Sequence, residues 1–317
     1  MEICNKKELP PMKILIATEK PFAPVAVKGI REIAETAGLE VALLEKYTER
    51  AALLAAVADV DALIVRSDII DAEVMDAAPK LRVIVRAGAG FDNIDLSAAT
   101  AHNMVVMNTP GQNANAVAEL VVGMLIYTIR NHYDGTSGTE LKGKKLGLMA
   151  FGAVAQNVAR IAHGLGMDVS SFSPLDNPQM ISNAGVHVVD SREELFLNND
   201  IVSLHIPSTP TTKRSIGYDL VKSMKQNAIL VNTARKDVID EEGLLRAMAE
   251  RTDLRYVTDL KMDNHEEAVK QLGNRYFFTP KKMGAQTAEA NINAGLAAAK
   301  QIVEFLRDGV NTYQVNK

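Results

Sequence analysis

The run LGLMAFGAVAQNVAR, residues 146–160, passes from an apolar strand through a turn of small residues into a helical pattern. This is the layout of a loop that holds the pyrophosphate of a dinucleotide. There G-x-G-x-x-G/A supplies a tight turn, a close backbone approach and a close helix–strand contact. The three positions here are Ala150, Gly152 and Ala155. Gly152 keeps the middle one, where a side chain would most directly obstruct the pyrophosphate, and Ala155 is the permitted alternative at the third. Ala150 departs from the pattern by one methyl group. A helix opening at Ala153 and Val154 still offers its first amides to an anion.

The next strand, DVSSFS, should end in an acidic residue for the ribose hydroxyls, and Ser173 stands in that place. A hydroxyl cannot give the charged two-point grip of a carboxylate. Its presence removes the electrostatic bar to a 2′-phosphate. Yet SPLDNPQM contains no lysine or arginine to neutralise one, and Asp176 would repel it unless turned away. Weak NAD binding is therefore expected in preference to NADP. Taken alone, a strand, turn and helix with one glycine fits mere packing equally well.

The elements around this loop must position it. The first 11 residues form a polar N-terminal extension ending in Pro10-Pro11, followed by the strand MKILIAT. Further strand candidates are 61–67, 81–88 and 104–109, with the helical pattern ERAALLAAVAD at 49–59 among them. NTPGQNANAVAELVVGMLIYTIR (108–130) turns into a long apolar helix that Asn113 or Asn115 caps. A second series of strands follows at 144–150, 167–172, 200–206, 227–233, 254–260 and 276–280, and a helix at 288–309 returns the chain. Continuous apolar strands alternating with helices predict an α/β fold with two parallel-sheet domains. The expected division is residues 12–110 with 293–317, and 111–292 inserted between them.

Composition narrows the function classes. The 317 residues suffice for two domains, and mean hydropathy is near zero. No apolar run is long enough to cross a bilayer, so a membrane role is not expected. The single cysteine, Cys4, cannot form an internal disulfide, which points to the cytoplasm. Net charge is −4 and tryptophan is absent, so nucleic acid is not an expected partner. A small anionic substrate remains compatible with one or two placed arginines. Arg235 is the first candidate: it follows the strand NAILVNTA, where a guanidinium can clamp carboxylate and carbonyl oxygens with paired hydrogen bonds. The plainer reading is a surface arginine balancing Asp237 and Asp240.

Several stretches together carry a resemblance: VRS at 65–67, RAGAGFDNID at 86–95, NTPGQNANAVAEL at 108–120, HIPSTPTT at 205–212, VNTARKDVIDEEGL at 231–244 and TPKKMGAQTAEANINAG at 279–295. In this order the chain resembles the D-2-hydroxyacid dehydrogenases, and among them looks most like the short-form D-3-phosphoglycerate dehydrogenases. The resemblance implies a Rossmann-type NAD-binding domain inserted in a flavodoxin-like substrate-binding domain, with the active site in the cleft between them. It also implies a homodimer and NAD-dependent oxidation of 3-phospho-D-glycerate to 3-phosphohydroxypyruvate in serine biosynthesis. Reduction of glyoxylate or hydroxypyruvate is the alternative within the class. A non-catalytic or weakly cofactor-binding homologue is the alternative outside it, favoured by Ala150, Ala155, Ser173 and Asn264.

By the resemblance, Arg235 is the catalytic arginine. The family's acid/base histidine, in TPH-x-x-G, corresponds to Lys281 in TPKKMG. A lysine donates a proton readily when a ketone is reduced, but must be neutral to accept one in oxidation. An ordinary lysine, with a pKa near 10.4, resists that at neutral pH. Burial, the positive charge of bound NAD and a nearby Arg235 would all favour the neutral amine. Lys282 next door is the surface alternative. The family's orienting glutamate falls on Asn264, so Asp263, one residue away, is the candidate; Glu266 and Glu267 read as helix-start acids. His205, Pro207 and Thr212 match the segment beside the adenine half, Thr233 and Ala234 flank the nicotinamide, and Asp259 would bond its carboxamide. Arg66 and Ser67, with the backbone of Ala87, Gly88, Ala89 and Gly90, would receive the substrate. Arg66 ends a strand and suits a phosphate; its structural alternative is a salt bridge to Asp68. Arg86 and Arg130 are further anion candidates. No metal site is expected.

Overall fold

The structure, a computed structural model, describes residues 11–316. Cys4 and the expected N-terminal extension, apart from Pro11, lie outside the described residues. The chain divides into two compact units, one running up to Asn113 and resuming at Thr287, the other spanning Ala114–Gln286. These breaks fall a few residues from those expected. The second keeps the helix Ala288–Asp308 whole within the first unit. That helix is set by its ends: the Thr287 hydroxyl accepts from the Ala290 amide, and Gly309 closes it with a left-handed φ of 72°.

The first unit holds five parallel strands: β1 (Lys13–Thr18), β2 (Glu40–Glu45), β3 (Ala62–Val65), β4 (Val83–Arg86) and β5 (Val105–Asn108). Their order, β2-β1-β3-β4-β5, is the flavodoxin-like one. Alternation along each strand fills two cores. Ile14 and Ile16 pack with Ile30 and Ala298 on one face, and Leu15 and Leu63 with Leu53 and Val74 on the other.

The second unit holds seven parallel strands: β6 (Lys145–Met149), β7 (Asp168–Phe172), β8 (His187–Val188), β9 (Ile201–Leu204), β10 (Ile229–Asn232), β11 (Arg255–Thr258) and β12 (Tyr276–Phe278). Their order is β12-β11-β10-β9-β6-β7-β8. The chain order therefore reverses between β6 and β9, the switch point beside which doubly wound sheets bind dinucleotides. Both faces of this sheet are also covered by core residues. The sequence pattern does not announce β2 and β8. Both are edge strands with half-exposed or exposed side chains. β2 has an apolar run, residues 41–44, but its Ala, Leu and flanking Glu are helix formers and blend with the helical pattern that follows, and β8 is only two residues long. Among the described residues, no helix is long and apolar enough to cross a membrane.

Candidate active site

At the switch point β6 ends at Met149, and Ala150 turns the chain with a φ of 76°. That left-handed conformation is the one a glycine would adopt freely. Gly152, in contrast, has an ordinary φ of −67° and caps the helix Ala153–Gly164. A Cβ built on Gly152 meets nothing within 4 Å. Its glycine is thus explained neither by backbone nor by packing, and matches a surface kept clear for a ligand. No side chain caps this helix, so the amides of Ala153 and Val154 lack a side-chain acceptor. Ala155 is fully buried, consistent with the close helix–strand contact of the third position. Beside the turn, Ser173 follows β7 and is half-buried. Its hydroxyl donates to Asp176, whose Oδ2 also accepts from the Phe151 amide at 3.1 Å. The serine is therefore bonded within the loop.

The ends of β9, β10 and β11 present a different picture. His205 Nε2, Thr233 Oγ1 and Asp259 Oδ1 are buried and have no hydrogen-bond partner among the described residues. Burial pushes the His205 imidazole down to about 4, so it is neutral at physiological pH. Asp259 Oδ2 accepts from the Gly284 amide at 2.8 Å and the Met283 amide at 3.1 Å. Burial nevertheless holds the Asp259 carboxyl above its ordinary range, the two amides opposing that effect. Buried polar groups are rarely left unsatisfied, and three clustered on neighbouring strand ends at the switch-point edge fit a polar ligand surface. Open space before Gly152, uncapped amides and these three atoms fit the successive parts of a dinucleotide. Pro207 and Thr212 lie in the loop after β9, where the Thr212 hydroxyl donates to the Pro207 carbonyl at 2.6 Å and fixes the loop's shape.

Arg235 is half-buried just beyond β10. Asn232, fully buried, braces this turn: its Oδ1 accepts from the Ala234 amide at 3.0 Å and its Nδ2 donates to the Arg235 carbonyl at 2.9 Å. Sequence reasoning misses Asn232, although an Asn closing a strand before a turn is a recognisable signal for such self-bonding. Lys281 lies beyond β12, its carbonyl accepting from the Thr279 hydroxyl at 2.6 Å. β11 separates the strands that carry Arg235 and Lys281, so those strand ends are about 10 Å apart at the usual spacing. Lys281 is exposed, so the burial expected of it is not found. Asp263 has a side chain 77% exposed and paired with Lys236 Nζ, which is not the setting of an orienting acid held against Lys281. Glu266 and Glu267 occupy the first turn of the helix His265–Leu272, as helix-start acids do.

In the first unit, Arg66 does not make the alternative salt bridge to Asp68. Its Nη1 donates to the Lys20 carbonyl at 3.0 Å and the Pro21 carbonyl at 3.2 Å, its Nη2 donates to Asn291 Oδ1, and the guanidinium lies 5.3 Å from the Phe22 ring centre. The Asp68 carboxylate instead accepts from the Arg66 and Glu19 amides and the Tyr47 hydroxyl. Arg66 thus ties the turn after β1 to the returning helix. Of the four expected backbone contacts, the Ala87 and Gly88 amides are bonded to the Val65 and Arg86 carbonyls, each at 2.8 Å. The amides of Ala89 and Gly90 have no partner among the described residues. Ser67 is exposed beside Arg66. Arg86 packs across Gly88, where a Cβ would lie 1.5 Å from its Nη1, and donates through Nε to the Arg66 carbonyl. Arg130 is exposed.

A doubly wound sheet with a clear glycine turn and unsatisfied polar groups at its strand ends is the architecture of a dinucleotide-binding domain. Residues 15–316 match the family model for the D-isomer specific 2-hydroxyacid dehydrogenase catalytic domain, and the chain belongs to that family. It is 34% identical, over 96% of its length, to a D-3-phosphoglycerate dehydrogenase of Methanocaldococcus jannaschii, of whose length it spans 59%. It is 32% identical to a glyoxylate reductase of Thermococcus litoralis, covering 91% of this chain and 93% of that one. Among solved structures, it is similar to a 3-phosphoglycerate dehydrogenase of Entamoeba histolytica with NAD+ bound. There the identity is 47%, the TM-score 0.88, and the coverage 97% of this chain and 99% of the other.

Proposed function

We propose that this chain is an NAD-linked 2-hydroxyacid dehydrogenase whose substrate is 3-phospho-D-glycerate, oxidised at C2 to 3-phosphohydroxypyruvate, the step that opens serine biosynthesis. The observation that carries the cofactor reading is the clear space before Gly152 together with the unsatisfied His205, Thr233 and Asp259 atoms. The Ala114–Gln286 unit is the NAD-binding one, and the other is the substrate-binding one. When bound, NAD accepts the hydride from C2. Thr233 and Asp259 hold its nicotinamide, and Gly152, Ala153 and Val154 face its pyrophosphate. Arg235 clamps the substrate carboxylate and the C2 oxygen, stabilising charge as the carbonyl forms. Lys281, in its neutral form, takes the hydroxyl proton. Ser67 and the free amides of Ala89 and Gly90 receive the substrate's anionic end, with Arg66 holding the turn beside them. No acid partner of Lys281 is assigned. The same reading carries a cytoplasmic homodimer, supported by the family resemblance.

A second reading, reduction of glyoxylate or hydroxypyruvate, is favoured by the state of Arg66. Its donors already hold Lys20, Pro21 and Asn291, which leaves less for a phosphate. Following NADH formation with 3-phospho-D-glycerate and D-glycerate separates the two. Preference for the phosphorylated acid supports the first; equal use of both, with brisk reduction of glyoxylate, supports the second. If calorimetry detects neither NADH nor NADPH binding, the chain is a non-catalytic homologue.

A further inference from the structure

We propose that Asp176 supplies the ribose-holding, cofactor-selecting carboxylate that Ser173 cannot, reaching back from three residues further along. This rests on the NAD reading above. A turn with the Asp176 amide donating to the Ser173 carbonyl at 3.4 Å folds the segment after β7 back on itself. Asn177 anchors it from the other side by accepting from the Gln179 amide at 2.9 Å. The Asp176 side chain is half-buried and bridges two strand ends, one oxygen accepting from the Phe151 amide and the Ser173 hydroxyl. Phe151 lies inside the nucleotide turn, immediately before Gly152. The carboxylate is thus fixed at the mouth of that turn.

Its other oxygen, Oδ1, has no partner among the described residues and is not enclosed. It is available to a hydroxyl arriving beside the pyrophosphate site. Ser173 acts as a positioning residue, its hydroxyl steering the carboxylate. A negative charge here accepts from ribose hydroxyls and repels a 2′-phosphate, and residues 173–180 contain no cation to offset it. The sequence leaves the direction of Asp176 open; the carboxylate turns toward the nucleotide turn, where it takes the vacated task.

Calorimetric titration with NADH and NADPH tests this without turnover. Asp176→Asn keeps an acceptor for the Phe151 amide but loses the charge. It should weaken NADH binding about tenfold and narrow the NADH-over-NADPH preference by about tenfold or more. The double variant Ser173→Asp/Asp176→Ser, which returns the carboxylate to the end of β7, should recover NADH binding. If the wild-type protein binds NADH while Asp176→Asn changes neither affinity nor preference, Asp176 only braces the loop and the proposal fails alone. A folded double variant that recovers nothing also overturns it. If the wild-type protein binds neither nucleotide, the NAD reading fails and takes this proposal with it.

Discussion

The two halves of one sheet edge in the Ala114–Gln286 unit treat their polar groups in opposite ways. Beside β6 and β7, the residues that depart from the dinucleotide pattern are bonded to one another, Ser173 to Asp176 and Asp176 to the Phe151 amide. Beside β9, β10 and β11, where the family residues are kept, His205, Thr233 and Asp259 each leave a buried atom unsatisfied. An unmet buried polar group costs about 1–3 kcal/mol. The β9–β11 edge is therefore held in a costly state that a ligand can relieve, whereas the β6–β7 edge has settled into a self-contained loop. Departures from a motif are thus met by new internal bonds in the first half, while the second keeps residues whose buried atoms lack a partner among the described residues.

The largest effects should come from the groups beyond β10 and β12. Lys281→Ala should lower kcat about 10²–10⁴-fold, the usual weight of a proton-transfer group. Because Lys281 is exposed, the variant's melting temperature should hardly change. Lys281→His should retain activity, since an imidazole at this position can take the same hydroxyl proton. Unchanged turnover in Lys281→Ala would remove this residue from the chemistry. Arg235→Gln should cost about 10²–10³-fold in kcat/KM, as loss of one charge-stabilising donor does. If only KM rises, Arg235 binds substrate without favouring its transition state.

Asp259 sharpens the contrast through stability. Its carboxyl is held above its ordinary range chiefly by burial, so the folded protein binds that proton more tightly than the unfolded chain. The associated stability is present at acid pH and is lost as pH rises from the ordinary carboxylate range through the raised folded value. Asp259→Asn removes the titration. Its melting temperature relative to wild type should climb as the buffer is taken from pH 4 to pH 8. NADH, by donating to the free oxygen, should recover part of the wild-type loss while binding the variant more weakly. Parallel melting profiles for the two proteins would show that the Asp259 charge carries no such burden.

Much of this arrangement is legible in the amino-acid sequence, for a physical reason. Central parallel strands are covered on both faces and spell themselves out as apolar runs rich in β-branched residues, which is why 81–88 and 200–206 stand out; β2, whose apolar run is built largely of Ala and Leu between glutamates, and the two-residue β8 do not. Gly152 and Arg235 are legible because their motifs are local. The commitments of Arg66 are not, because its partner Asn291 lies 225 residues away. The pairing of Asp263 with Lys236 and the inward turn of Asp176 likewise depend on which strands become neighbours. Asn232 falls between these cases, since both its bonds are local but its burial is not evident from spacing.

The smallest expected effect lies in the turn itself. Ala150 holds a left-handed φ of 76°, which costs a residue with a Cβ about 1–2 kcal/mol. Ala150→Gly removes that strain but frees the unfolded chain by about 0.5–1 kcal/mol, leaving a net gain of about 0.5–1 kcal/mol. For a protein of this size that is a rise of about 1 °C in melting temperature. Gly152→Ala should leave melting almost unchanged, because φ is ordinary and the added methyl meets nothing. NADH affinity should respond in the reverse order, held or slightly improved in the first variant and weakened in the second. A glycine in place of Ala150 would then be a convenience of the backbone, and Gly152 a requirement of the ligand. If Gly152→Ala binds NADH as well as wild type, the clear space in front of it is not where the pyrophosphate lies.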